Sequence, residues 1–430
     1  MIDYFKKYII VFLKWTEKWT NTDMVYLANG GFWLTIEKFF SVSSSFLIAI
    51  VFANYLSPEI YGTYRYSLSV ITILMISTLS GIDTSVTRTV AQGNEMVVKK
   101  AITEKAKWGV LGSIISLFLS FYYFTQNDIT LSVIFLISVV FVPFLNNLDL
   151  WAAYLFGKKN FQTIAKYKIF GNFLNFFPLL IATVFTKNIY IILSTFLVFG
   201  VLSKIILIRL TLKNFPPNKN KDESFIKYGK HLSLMGVLST ISFNIDKILI
   251  FNLLGPVQLA IYSFATRPIS EITSFLGNFS NIFLPKLSQR KMDDLKKTLL
   301  VKSLKFSIVL IPIIVLYYLS SPLIFRILFH QYEDAVIYSQ LFAISLIFFP
   351  KVLFGQALIA HAETKKLYFL QTLVPVFRIS ALFFLTTFFG LMGTILSFIL
   401  TDIFHIAVLI IIYRDKFWQK IFSKKKVYEA

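Results

Sequence analysis

Leu131-Ser132-Val133-Ile134-Phe135-Leu136-Ile137-Ser138-Val139-Val140-Phe141-Val142-Pro143-Phe144-Leu145 decides the fold class, because no charged residue stands between Asp128 and Asp149. About 20 residues rising 1.5 Å each cover the ~30 Å hydrocarbon core of a bilayer, and a helix satisfies its own backbone polar groups there. A membrane β-barrel would show alternating strands about half as long. Working outward, runs of the same kind are read at 31–53, 60–82, 108–125, 129–150, 169–186, 189–208, 232–254, 258–284, 304–325, 337–359, 369–389 and 391–413. The sequence therefore predicts an all-α polytopic membrane protein of twelve transmembrane helices. Composition agrees: 56% of residues are hydrophobic and 15% charged, against about 45–50% and 25% in soluble domains.

The net charge of +21 is unevenly placed. With the N-terminus inside, the inner segments hold most of the 43 Lys and Arg, and the outer loops hold only Lys187 and Arg326. That bias orients a membrane protein with its basic loops in the cytoplasm. The excess charge then reads as a cytoplasmic skirt facing anionic lipid headgroups, not as a nucleic-acid surface. Both termini are expected in the cytoplasm of a cell whose inner membrane the chain crosses. Tyr4, Tyr8, Phe12, Trp15 and Trp19 share a helical stripe with Lys7, Lys14 and Lys18 off it. Residues 3–20 read as an amphipathic helix at the membrane surface, within an N-terminal segment 1–27. The chain has no Cys, and its four His show no metal-ligand spacing, so no metal site or cofactor is expected.

The second half echoes the first. Asn54-Tyr55-Leu56-Ser57-Pro58 closes the first span and Asn252-Leu253-Leu254-Gly255-Pro256 the seventh. A shift of 198 residues superposes Asn54 on Asn252, Pro58 on Pro256 and Tyr64 on Tyr262. Six spans separate the repeats, so the halves have parallel topology and a pseudo-twofold axis along the membrane normal. The predicted organisation is an N-lobe over 28–212, a cytoplasmic linker over 213–230, a C-lobe over 231–413 and a basic tail over 414–430. Phe215-Pro216-Pro217-Asn218-Lys219-Asn220 marks the linker as polar and Pro-broken. Two six-helix lobes on such a connection suit alternating access to a site between them.

Leu56-Ser57-Pro58-Glu59-Ile60-Tyr61-Gly62-Thr63-Tyr64 resembles an element of the bacterial polysaccharide-biosynthesis flippases, as does Gly81-Ile82-Asp83 followed by Arg88. Asn244-Ile245-Asp246-Lys247-Ile248-Leu249-Ile250, running into Leu254-Gly255-Pro256 and Ile261-Tyr262-Ser263-Phe264-Ala265, resembles the matching element of the second half. These flippases fall in the multidrug, oligosaccharidyl-lipid and polysaccharide exporter superfamily. The resemblance implies translocation of an undecaprenyl-diphosphate-linked oligosaccharide, an O-antigen or capsule repeat unit, from inner to outer leaflet. It also implies that the protein is not an enzyme, and that a glycan polymerase and assembly machinery act beside it. A cation-coupled multidrug exporter of the same superfamily is the alternative.

Charge within a span costs about 2.5–3.5 kcal/mol on insertion scales, so each such residue needs a partner or a wet cavity. A diphosphate needs cations, and the guanidinium fork suits phosphate oxygens. Arg65, Arg267 and Arg378 are the leading diphosphate candidates, with Lys38 and Lys247 behind them. The repeat alignment sets Arg65 and Arg267 one helical turn apart, hence at similar depth in the two lobes. Asp246, Glu271, Asp402 and Glu37 are the candidates for coupling to a proton or sodium gradient. Structural alternatives stand beside these roles. Arg267 and Glu271 are spaced to pair with each other, Lys247 beside Asp246 is as suited to a structural pair with a neighbouring helix as to substrate contact, and Asp402 and His405 are suited to a proton relay or a brace. Asp83 and Asp149 are expected to face water at inner ends.

Overall fold

The computed structural model describes residues 24–220, 222–288, 292–361 and 363–413, and these contain helices and no strand. The expected surface helix at 3–20 and the basic tail at 414–430 lie outside the described residues. The first half comprises α1 (Met24–Tyr55), α2 (Pro58–Leu74), α3 (Gly81–Ala91), α4 (Val97–Thr125), α5 (Ile129–Leu145), α6 (Leu150–Gly157), α7 (Phe161–Phe185) and α8 (Ile189–Asn214). The second comprises α9 (Ser224–Leu254), α10 (Pro256–Ser288), α11 (Met292–Leu328), α12 (Ala335–Ala343), α13 (Val352–Ala360) and α14 (Thr364–Tyr413). Among the described residues nine helical segments are long and apolar enough to cross a membrane, or ten if the bent pair α2–α3 is one span. The chain is thus an all-α polytopic membrane protein.

Both repeat junctions are built by local chemistry. Ser57 caps α2 by accepting from the Ile60 amide, and Pro58 opens the helix where an amide donor would be idle. At the second junction Gly255 has φ 91°, and its amide reaches back to the Ile250 and Phe251 carbonyls. This left-handed turn suits glycine, and Pro256 then opens α10. Asn54 and Asn252 both donate to the carbonyl four residues back. Asn54 also reaches the Leu328 carbonyl at the end of α11, 3.1 Å away.

Two breaks alter the simple span picture. The run read as one span at 60–82 tightens into a 3₁₀ turn at Met75–Thr78, takes φ 58° at Leu79, and bends by 47° into α3. In α14 the chain reverses at Gly390, which has φ 57° and ψ −140°. Residues eight apart in a straight helix lie ~12 Å apart, yet Thr386 and Thr394 hydroxyls are 2.9 Å apart. Segments 364–389 and 391–413 are therefore two helices packed against each other, as Phe377 stacked on Phe404 also shows. Pro143 is followed within a turn by the 3₁₀ segment Asn147–Asp149, and Pro350 lies inside the 3₁₀ segment Ile344–Lys351.

The described residues form two compact units, those up to 48 with 77–234 and 49–76 with those from 235 onward. In the first, α4 and α5 form a close hairpin. Gly109, Ser113, Ser116 and Ser120 line one face of α4. The three serines donate to the Val139, Phe135 and Ser132 carbonyls of α5. Small residues that let helices approach are the packing device of membrane interiors. The opposite face of α4 exposes Phe118 and Phe121, as a lipid-facing surface would. In the second unit α2 lies on α10: Tyr61 stacks on Phe264 at 4.5 Å, and Gly62 sits against the Pro256 backbone.

Asn218 and Asn220, in the polar connection after α8, are bonded into the first unit. Glu95 Oε2 accepts from Tyr154 Oη, Lys158 Nζ and the Asn218 amide at 2.9, 3.0 and 3.1 Å. Asn218 Nδ2 donates to the Gly93 carbonyl, and the Met96 amide to the Asn220 carbonyl. Burial alone would raise the Glu95 pKa, but the bonds from Lys158, Tyr154 and Asn218 outweigh it and hold the carboxyl below its ordinary range. A depressed folded-state pKa gives stability that is present above the unfolded value and lost as pH falls through the folded one. Glu95→Gln is therefore expected to expose the segment 215–223 to limited proteolysis at neutral pH. The wild-type protein should show the same cleavage only in acid, below the usual glutamate range.

Candidate functional site

The membrane-embedded charges of the second unit gather around α9, α10 and α14. Asp246 on α9 is 3% exposed. Its Oδ2 accepts from Tyr262 Oη on α10 at 2.6 Å, and its Oδ1 from Lys247 Nζ at 3.1 Å. Lys247 also donates to the Phe243 carbonyl at 3.2 Å, so its side chain folds back along its own helix. Lys247 is thus paired with Asp246 on its own helix, and it is Asp246, through Tyr262, that reaches a neighbouring helix. Sequence reasoning placed Tyr262 in the repeat without giving it a partner.

Glu271 and Arg267 form an ion pair at 3.2 Å along one face of α10. Asp402 on α14 pairs with Lys351 at the end of the 3₁₀ segment, and the same lysine's charge is felt at His405. Asp402 therefore braces α14 against a lysine and is not hydrogen-bonded to His405. Both partners of this ion pair are mostly buried, 22% and 18% exposed. Lys351→Met is expected to destabilise the protein by about 3–5 kcal/mol, because it strands a buried carboxylate, and Asp402→Leu in the same chain should restore most of the loss. Thermal unfolding of the two variants in detergent checks this.

With the three carboxylates engaged, two guanidinium groups remain. Arg378 projects from the first limb of α14 between two aromatic rings, 4.3 Å from the Phe398 centroid and 4.9 Å from that of Phe243. Its Nε is buried without a hydrogen-bond partner, and its charge is felt at Asp246 and Asp402. Arg65 on α2 is also half-buried with its Nε unsatisfied, and its charge is felt at Lys247 and Tyr262. Among the described residues neither arginine makes an ion pair. The embedded cluster has five cations, Arg65, Lys247, Arg267, Lys351 and Arg378, against Asp246, Glu271 and Asp402, and the two arginines carry the surplus.

The remaining candidates lie in the first unit. Glu37 is 8% exposed and pairs with Lys168 on α7 at 3.6 Å, and Lys38 beside it is half-buried. Asp83 and Asp149, read as water-facing ends, are salt-bridged to Lys105 at 2.5 Å and Lys204 at 2.7 Å. Among the described residues no group of His, Asp and Glu is arranged to hold a metal ion. The aromatic clamp of Phe243 and Phe398 was missed at the sequence level, because both sit in apolar runs where nothing marks them apart.

Comparison with known proteins bears on the fold and the family. A family model described as polysaccharide biosynthesis protein matches residues 27–291. No curated protein matches the chain. Among solved structures, the lipid II flippase MurJ in an inward closed conformation is similar over 87% of this chain and 86% of its own, with a TM-score of 0.70 at 16% identity. A MATE transporter in complex with MaD5 is similar over 92% of this chain and 97% of its own, with a TM-score of 0.62 at 13% identity. A transporter of the MOP superfamily from Pyrococcus furiosus, whose binding pocket has reversed polarity, is similar over 91% and 96%, with a TM-score of 0.61 at 12% identity.

Proposed function

The chain belongs to the polysaccharide biosynthesis protein family, and from that premise we infer that it is a flippase for undecaprenyl-diphosphate-linked oligosaccharide. It carries an O-antigen or capsule repeat unit from the inner to the outer leaflet of the cytoplasmic membrane. The observation that supports this reading best is the pair Arg65 and Arg378, two guanidinium groups without a carboxylate in a cluster whose carboxylates are all engaged. A diphosphate brings about two negative charges, and planar forks bind its oxygens bidentately. Arg267 and Lys247 stand behind them as further contacts.

Twelve spans in two six-helix lobes, 28–212 and 231–413, complete the reading. The ten candidate segments become eleven when α14 is divided at Gly390, and α10, with 33 residues, is the twelfth. Transport proceeds by alternating access, with both termini in the cytoplasm and the basic inner face resting on anionic lipid. Coupling to a proton or sodium gradient would act through Asp246, Glu271, Asp402 or Glu37, since neutralising any of them releases a basic partner. A glycan polymerase and assembly machinery would receive the product. Likeness to MATE transporters keeps a cation-coupled drug exporter as the second reading, but a cationic drug would meet surplus positive charge here.

Thermal unfolding of the purified protein with undecaprenyl diphosphate, and with the monophosphate as comparison, tests the assignment. The diphosphate should stabilise the wild-type protein more than the monophosphate, and Arg65→Ala with Arg378→Ala should remove the difference. Equal stabilisation of the double variant would remove the two arginines from the site.

A further inference from the structure

Within the first unit, α4 and the start of α9 meet where both enter the membrane. The chain carries no Asp, Glu, Lys or Arg between Lys107 and Asp128, and none between Lys230 and Asp246. Trp108 and Lys230 therefore stand at the hydrocarbon boundary of their helices, the depth that suits an indole and the last cation before a span. The start of α9 is fixed in place by α3. The Ser85 hydroxyl donates to the Phe225 carbonyl at 2.7 Å, the Gly81 amide donates to Ser233 Oγ at 2.9 Å, and Gly229 lies against Ile82. The two boundary residues are brought together there: Lys230 Nζ lies 4.9 Å from the centroid of the Trp108 ring.

Neighbouring lysines are already engaged. Lys105 holds Asp83 and Lys100 holds Glu223, both at 2.5 Å, and Lys107 lies 3.7 Å from Glu104. Among the described residues Lys230 makes no ion pair, and Lys227, one turn before it, is exposed. Trp108 is 37% exposed, so the corner is open to its surroundings. Deeper along α4, Leu111, Ile115 and Phe118 are exposed at the spacing that continues one helical face from Trp108. Cations at the boundary beside an open apolar stripe fit a molecule with an anionic head and a hydrocarbon tail. A zwitterionic head would bring its ammonium against Lys227 and Lys230, whereas a phosphodiester head without an amine brings only the complementary charge. We propose that this corner binds an anionic phospholipid of the leaflet facing the basic loops. Its phosphate meets Lys230 and Lys227, its glycerol lies at Trp108, and an acyl chain runs along Leu111, Ile115 and Phe118. The inference narrows the reading of a basic inner face on anionic lipid to one site, and is independent of which substrate is carried.

The test uses the full chain in phosphatidylcholine nanodiscs. Rising fractions of phosphatidylglycerol brominated on its acyl chains are added, and in parallel brominated phosphatidylcholine. Bromine quenches indole emission on contact, and the difference between the wild-type protein and Trp108→Phe isolates Trp108. Half-maximal quenching of Trp108 should need about fivefold less brominated phosphatidylglycerol than phosphatidylcholine, the factor one basic side chain contributes near anionic lipid. Lys230→Gln should remove that preference and Lys230→Arg should keep it, with thermal unfolding establishing that each variant is folded. Equal quenching by the two lipids in the wild-type protein would leave bulk lipid contact only and overturn the proposal. A preference that persists unchanged in Lys230→Gln would also overturn it. Relief of the quenching by added undecaprenyl diphosphate would assign the corner to that lipid instead, and overturn it too. Export and diphosphate binding at Arg65 and Arg378 are measured separately, so either idea can fail while the other stands.

Discussion

Arg378→Ala should lower glycan export at least tenfold in a complemented native host, with the protein inserted at normal levels. Arg378 is held between Phe243 and Phe398 and has an unsatisfied Nε, so it is positioned and, among the described residues, not consumed by an ion pair. One hydrogen bond to a charged partner contributes about 1.5–3 kcal/mol, and ~1.4 kcal/mol corresponds to a factor of ten. Losing a bidentate contact therefore predicts a loss of ten- to a hundredfold or more. Arg378→Lys should recover little, because an ammonium keeps the charge but neither stacks as a plane nor forks. Surface glycan measured against the protein's membrane level checks both variants. Full export by Arg378→Ala would sever the link between the surplus charge and the substrate.

Gly62→Val is expected to abolish export by a different route. An added Cβ at Gly62 would lie 1.9 Å from the Pro256 carbonyl oxygen and 2.6 Å from its carbon. Backbone atoms cannot move aside as a flexible side chain can, so α2 must leave the start of α10. Tyr61 on Phe264 and Tyr66 on Phe251, 4.5 and 4.0 Å between ring centroids, would separate with it. A transporter that visits this packing in each cycle would be held out of it. Gly236→Val, at a position with nothing within 4 Å of an added Cβ, is the control and should retain export. Export by Gly62→Val at wild-type level would show that the packing of α2 on α10 is not visited during transport.

How much of this was legible in the sequence depended on whether a feature was local. Capping at Ser57-Pro58 and the left-handed turn at Gly255-Pro256 depend on neighbours in sequence, and the repeat exposed both. The residue left between the runs 369–389 and 391–413, Gly390, is where the chain reverses. By contrast Leu79 carries no mark of a break. Its positive φ comes with Gly81, whose missing Cβ lets Ser233 and Gly229 approach from a helix some 150 residues away. Helix rotation was equally hidden. Tyr262 reaching Asp246 and Lys351 reaching Asp402 both depend on packing between segments apart in sequence. The charged residues within the spans were visible in the sequence, while most of their pairings were not.

The most direct measurement is made in the native host with the protein depleted. Undecaprenyl-diphosphate-linked oligosaccharide is quantified in the membrane and glycan at the cell surface. A flippase predicts accumulation of the lipid-linked repeat unit together with loss of surface glycan, both reversed by wild-type protein and not by Arg378→Ala. Unchanged surface glycan without lipid-linked build-up would contradict it.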